Sequence, residues 1–188
     1  AGKTMIARRI GGILPPVTLE EALEMTKIYS VAGLLPEQTS LLAGRPFRAP
    51  HHTVTPEALA GGGRIPSPGE ISLSSGGVLF LDEFPEFKRS ALEILRQPLE
   101  ERRVCISRTA GNYIFPAKCM LVAAMNPCAC GYFPDRSRCV CTEQELGRYR
   151  GKISRPLLDR IDICTEVPGI SYGDLTKKER EQVRKEFL

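Results

Sequence analysis

Two short polar groups, Gly2-Lys3-Thr4 and Asp82-Glu83, carry the residue types that handle a phosphate chain. In the pattern G-x-x-x-x-G-K-[ST], backbone N–H groups cradle the phosphates, the lysine reaches the β and γ phosphates, and the hydroxyl holds Mg²⁺. Ala1-Gly2-Lys3-Thr4 is the second half of that pattern, and alone it fits an ordinary turn before a helix at least as well. Asp82-Glu83 closes the apolar run Val78-Leu79-Phe80-Leu81, as a parallel strand buried on both faces would end. There Asp82 would help hold Mg²⁺ and Glu83 would polarise an attacking water. Acids favouring a following helix N-terminus look similar in isolation, but the two motifs in this order favour nucleotide. Gly2, Lys3, Thr4 and Asp82 are therefore the expected nucleotide-binding residues, with Thr4 and Asp82 on Mg²⁺ and Glu83 catalytic.

Further candidates lie downstream. Asn126 ends the apolar run Cys119–Met125, where a neutral amide would orient a water or touch a γ-phosphate; Asn-Pro is also a plain turn signal. Arg155 and Arg160 flank Pro156-Leu157-Leu158-Asp159, and guanidinium groups stabilise a transferring phosphoryl group. A surface ion pair with Asp159 or Asp162 is the competing reading. Cys128, Cys130, Cys139 and Cys141 offer four thiolates in two pairs, suited to tetrahedral zinc, with buried free thiols as the alternative. Cys105, Cys119 and Cys164 fall in apolar runs and are expected in the core. His51 and His52 are adjacent, so an extended chain points them apart, and no metal role is assigned.

These residues need elements to position them. Met5–Ile10 has helical spacing and Leu14-Pro15-Pro16 stops it. Thr18 with Glu21 forms a capping box opening a second helix. Pro46 to Val54 reads as an edge strand before a long loop. Arg89 to Glu101 reads as a helix that Pro98 bends or ends. Val104–Arg108 and Asn112–Phe115, around Thr109-Ala110-Gly111, form a hairpin. Val78–Leu81, Cys119–Met125 and Ile161–Val167 are expected strands, and the charged segment from Lys177 to Lys185 is an expected solvated helix. The fold implied is an α/β three-layer sandwich with a largely parallel sheet and nucleotide at its strands' carboxyl ends.

Composition agrees with one catalytic domain: 188 residues, 42% of them hydrophobic, are enough to bury a core. The net charge of +4 permits a polyanionic partner without requiring one. No apolar run approaches the roughly 20 residues of a membrane span, so a soluble, cytoplasmic protein without a membrane partner is expected. Clustered thiols in such a protein point to metal before disulfides.

Gly69-Glu70-Ile71-Ser72-Leu73, Gly77 to Glu83, Met125-Asn126-Pro127-Cys128 and Pro156 to Asp162 together resemble the magnesium-chelatase-like AAA+ ATPase family. Arg45-Pro46-Phe47-Arg48-Ala49-Pro50-His51-His52 and the paired Cys-x-Cys motifs look most like its bacterial ComM/YifB branch. The resemblance runs to about Gly169, the limit of the expected ATPase core (1–169), with 170–188 leading toward a missing lid. It implies Lys3 and Thr4 as Walker A, Asp82 and Glu83 as Walker B, Asn126 as sensor 1, and Arg160 as an arginine finger reaching a neighbouring subunit. It further implies a P-loop NTPase fold, ATP with Mg²⁺, and a ring, commonly a hexamer. The stretch Thr53 to Gly69 would be the helix-2 insert and Val104 to Phe115 the pre-sensor-1 hairpin. Arg102, Arg103, Arg108 and Lys118 in or beside that hairpin would track DNA phosphates, or simply form a solvated basic face. The leading expectation is an ATP-driven motor on DNA, as in branch migration. A magnesium chelatase motor subunit and a zinc-containing interaction module with structural nucleotide are the alternatives. With only half a phosphate loop, the isolated chain is expected to hydrolyse ATP weakly or not at all.

Overall fold

A computed structural model of the chain describes residues 2–109 and 111–167. Its centre is a parallel sheet of three strands, β1 (Phe47–Arg48), β4 (Val78–Leu81) and β7 (Met120–Ala123), in the order β1-β4-β7. Every residue of β4 is buried, and its alternation decides the layers. Val78 and Phe80 pack with Ala7 of α1 (Lys3–Ile10) and with Ala124, Phe47 and Val122. Leu79 and Leu81 join the larger cluster with Leu59, Ile71, Ala91, Leu92 and Leu95. A continuous apolar strand is thus the sequence mark of a sheet covered on both sides, and the protein is a mixed α/β fold with a parallel sheet.

Close backbone approach sets the start of β4. A Cβ on Gly77 would overlap the Pro46 carbonyl, whose oxygen accepts from Val78 N at 2.8 Å. Arg48 clamps the first strand to α4 (Glu70–Leu73) through two hydrogen bonds to Glu70, of 2.7 and 2.6 Å. The second helix, α2 (Leu19–Val31), starts as expected: Glu21 N donates to Thr18 Oγ1, and Thr18 N donates to the Glu21 carboxylate at 2.9 Å.

Between β1 and β4 lie α3 (Pro56–Ala60) and a small antiparallel pair, β2 (Gly61–Gly62) and β3 (Ser67–Pro68). The expected hairpin forms from β5 (Arg103–Arg108) and β6 (Gly111–Pro116), with Arg108 opposite Gly111. Val104 and Ile106 bury one face of β5 in the core and leave Arg103, Cys105 and Ser107 outward. The last elements among the described residues are α7 (Glu143–Arg150) and α8 (Arg155–Leu158).

Four expectations need correction. The helix from Arg89 is two helices, α5 (Arg89–Ile94) and α6 (Arg96–Glu101). Pro98 offers no N–H to the carbonyl of Ile94, so the break falls one turn before the proline rather than at it. Ile161–Val167 is no strand: it has no ladder partner among the described residues, and Ile163 is 84% exposed, although Ile161 touches the core. An apolar alternation cannot make a strand without an edge to pair with. The strand expected within Pro46–Val54 shrinks to Phe47–Arg48. Cys105 and Cys164 are exposed, and of the three expected core cysteines only Cys119 packs against the core. The charged segment 177–185 and the boundary at 169 lie outside the described residues.

Candidate functional site

The carboxyl ends of β4 and β7 are stitched together. Ala124 N donates to Leu81 O and Phe84 N donates to Ala124 O, each at 2.9 Å. This brings Asp82-Glu83 beside Asn126, residues that sequence separates widely. The start of α1 completes the group. Gly2 precedes the helix at φ 116°, a left-handed conformation that only glycine adopts without strain. The next two side chains then face the strand ends: the Thr4 hydroxyl donates to Asp82 Oδ2 at 2.6 Å, and Lys3 Nζ donates to Asn126 Oδ1 at 2.9 Å and to the Met125 carbonyl at 2.8 Å. Thus Lys3, Thr4, Asp82 and Asn126 converge at the carboxyl end of the sheet, with Glu83 next to Asp82 in the chain.

Chemically, the Thr4 hydroxyl and the Asp82 carboxylate are a hard oxygen pair of the kind Mg²⁺ prefers. Lys3 is tied to neutral oxygens rather than to a carboxylate, so its charge is available to an anion. The donor set therefore fits a magnesium-bound phosphate chain.

Sequence reasoning missed His52. Its Nδ1 lies 3.0 Å from Glu83 Oε2, and its ring packs against that of His51, tilted by 36° with centroids 4.0 Å apart. Glu83 itself sits at φ 52°, ψ 44°, a left-handed backbone for a non-glycine residue, at a cost on the order of 1–2 kcal/mol. Strain of this kind persists only where neighbours hold it, and it turns Glu83 away from the strand direction. The signal available in sequence was the histidine pair after an edge strand; the contact across β1 and β4 was not.

Arg160 is held elsewhere. It pairs with Glu100 of α6 and donates to the Pro156 carbonyl, and its Nε is buried without a partner. None of its partners is in the Lys3–Asp82–Asn126 group. The four basic residues beside the hairpin do not form one free patch. Arg103 pairs with Glu101 at 3.0 Å, and Lys118 pairs with Glu24 of α2 at 2.9 Å. Arg102 and Arg108 are exposed and make no ion pair among the described residues.

The four clustered cysteines also converge. All four Sγ atoms lie within 4.8 Å of one another, with Cys128, Cys139 and Cys141 buried. Among the free thiols, Cys130 is held down at about 6, chiefly by the Tyr132 backbone N–H, while burial pushes Cys139 up to about 11.

A parallel sheet with a lysine, a hydroxyl, an acid and an amide gathered at its strand ends is the arrangement of a P-loop-like α/β core. The chain belongs to the magnesium chelatase ChlI-subunit family, whose profile matches residues 1–175; this is an AAA+ ATPase-like family. The chain is 47% identical to the competence protein ComM of Haemophilus influenzae over 93% of its own length. It is 46% identical to the uncharacterized protein YifB of Escherichia coli over 94% of its length, and 46% identical to YifB of Salmonella typhimurium over 89%. The chain spans about a third of each: 34% of ComM and of the Escherichia coli protein, and 33% of the Salmonella protein. No helix among the described residues is long and apolar enough to cross a membrane.

Proposed function

We propose that the chain is the nucleotide-hydrolysing core of an AAA+ machine that works as a ring. The observation that carries this reading is the meeting of Thr4 with Asp82 and of Lys3 with Asn126 across the ends of β4 and β7. In this reading Thr4 and Asp82 hold Mg²⁺, which neutralises charge on the phosphates. Gly2 and Lys3 bind the β and γ phosphates, and Lys3 exchanges its protein oxygens for phosphate oxygens. Glu83 orients and deprotonates the attacking water, and Asn126 fixes either that water or the γ-phosphate. Arg160 serves the nucleotide of the neighbouring subunit, which requires that it leave Glu100. The direct test is Mg²⁺-dependent ATP binding and hydrolysis by the full-length protein. Lys3→Ala should abolish binding; binding and turnover unchanged in that variant would end the proposal.

DNA is the substrate this reading favours. The exposed Arg102, just before β5, and the exposed Arg108, at its far end, bracket the strand that Val104 and Ile106 anchor in the core. The competence designation of the Haemophilus relative points the same way. Single-stranded DNA should then stimulate hydrolysis by the full-length protein; stimulation by a porphyrin-binding partner instead would select metal insertion.

A further inference from the structure

We propose that Cys128, Cys130, Cys139 and Cys141 hold one structural zinc ion, and that this ion fixes the main chain leaving Asn126. Three Sγ separations are 3.3 Å (Cys128 to Cys130), 3.6 Å (Cys130 to Cys139) and 3.8 Å (Cys128 to Cys139). A tetrahedral site with Zn–S of about 2.3 Å places its sulfurs about 3.8 Å apart. The same separations are far beyond a disulfide bond of about 2.05 Å. Four sulfurs within 4.8 Å surround a single ion and leave no room for a multi-iron cluster.

The loop needs such a staple. From Ala124 to Thr142 the chain forms no helix or strand, an unusual length of irregular backbone inside a compact domain. Its own core consists of Cys128, Cys139, Cys141 and Leu146 of α7, with Cys130 and Phe133 beside them. So small a satellite buries too little apolar surface to order the loop, and metal binding supplies the missing free energy.

The surroundings suit a zinc tetrathiolate, which carries a net charge of −2. Arg136 and Arg150 lie over the Phe133 ring, 5.1 and 5.0 Å from its centroid, and Arg136 also donates to the Cys141 carbonyl. Phe133 N donates to Cys128 Sγ at 3.4 Å, the kind of outer hydrogen bond that orients a metal-bound thiolate.

Cys128 stands two residues after Asn126, which holds Lys3, and Cys141 directly precedes the Thr142 cap of α7. One ion therefore fastens the end of β7 to the start of α7. The positioning role rests on Asn126 belonging to the nucleotide site; the metal site itself does not.

The test is zinc content of the full-length protein purified without chelators, compared with Cys130→Ser and Cys139→Ser. The expected result is one zinc equivalent lost in each variant, with cobalt in its place giving tetrahedral thiolate absorption bands that the variants lack. Lys3→Ala should keep its zinc, so failure of the nucleotide reading is separable. Unchanged zinc content in the cysteine variants, these four thiols titrating free in untreated protein, or iron in place of zinc would overturn the site. For the positioning role, zinc-depleted protein that keeps its circular dichroism should lose kcat by about tenfold or more while retaining ADP affinity. An unchanged kcat would overturn that role.

Discussion

His52 Nδ1 lies 3.0 Å from Glu83 Oε2, joining the end of the edge strand to the acid that follows the central strand. Glu83 is exposed and itself holds the left-handed backbone, so its own surroundings do little to hold the carboxylate in one direction. The imidazole, seated against His51 and edge-on to Phe87, is the more fixed partner. His52→Ala should therefore lower kcat for ATP, by up to the order of 10²-fold that a misplaced catalytic group costs, with little change in nucleotide affinity. Steady-state kinetics beside nucleotide titration checks the split.

The left-handed backbone at Glu83 predicts opposite effects on stability and activity. Glu83→Gly should raise the unfolding free energy by about 1 kcal/mol, because glycine adopts φ 52° without strain. It should also remove hydrolysis. Glu83→Gln should keep the strain and lose only the turnover. Thermal melts of the two variants distinguish backbone relief from side-chain loss.

Thr4 and Asp82 share one hydrogen bond and, in the proposed function, one cation. Thr4→Val should raise the Mg²⁺ concentration needed for half-maximal hydrolysis, while the fold is nearly unaffected because the site is exposed. Asp82→Asn should do the same more strongly. A magnesium titration at saturating ATP measures both.

Arg102 and Arg108 are the hairpin bases without a carboxylate partner among the described residues. Replacing both by alanine should weaken DNA binding across sequences and reduce the salt slope by roughly 2. Arg103→Ala should have a smaller effect, since Glu101 already competes for that guanidinium. Binding measured at several salt concentrations tests this ranking.

Two capping boxes give a pH signature. Glu21 and Glu145 are each held below the ordinary 4.5, chiefly by the backbone N–H of Thr18 and of Thr142 respectively. A carboxylate whose folded pKa is depressed contributes stability that is complete above its unfolded value and is lost as pH falls through its folded value. The starts of α2 and α7 should thus loosen only below about pH 4.5, and the amides of Thr18 and Thr142, which donate to these carboxylates, should lose exchange protection there first.

Much of this protein was legible in its residues because local chemistry and the tertiary fold agree. The apolar run Val78–Leu81 announced a strand buried on both faces, Thr18 with Glu21 announced a helix start, and the turn after Arg108 announced a hairpin. The candidate site was legible for the same reason: a lysine, a hydroxyl, paired acids and an amide are short, chemically distinctive groups at element ends.

What tertiary structure alone decided are the contacts between distant elements. Sequence carried Gly2-Lys3-Thr4 only as half a motif; the bonds from Thr4 to Asp82 and from Lys3 to Asn126 join it to the acid and the amide at the strand ends. Sequence showed a histidine pair without a role, and packing of β1 against β4 set His52 on Glu83. It offered Arg160 beside Asp159 and Asp162, and the fold gave it Glu100 instead. Patterns along a chain encode periodicity and local hydrogen bonding, whereas which side chains meet depends on where whole layers pack. That is also why Ile161–Val167, a strand by pattern, is none in the structure: a ladder needs a neighbour, and no pattern within one segment supplies it.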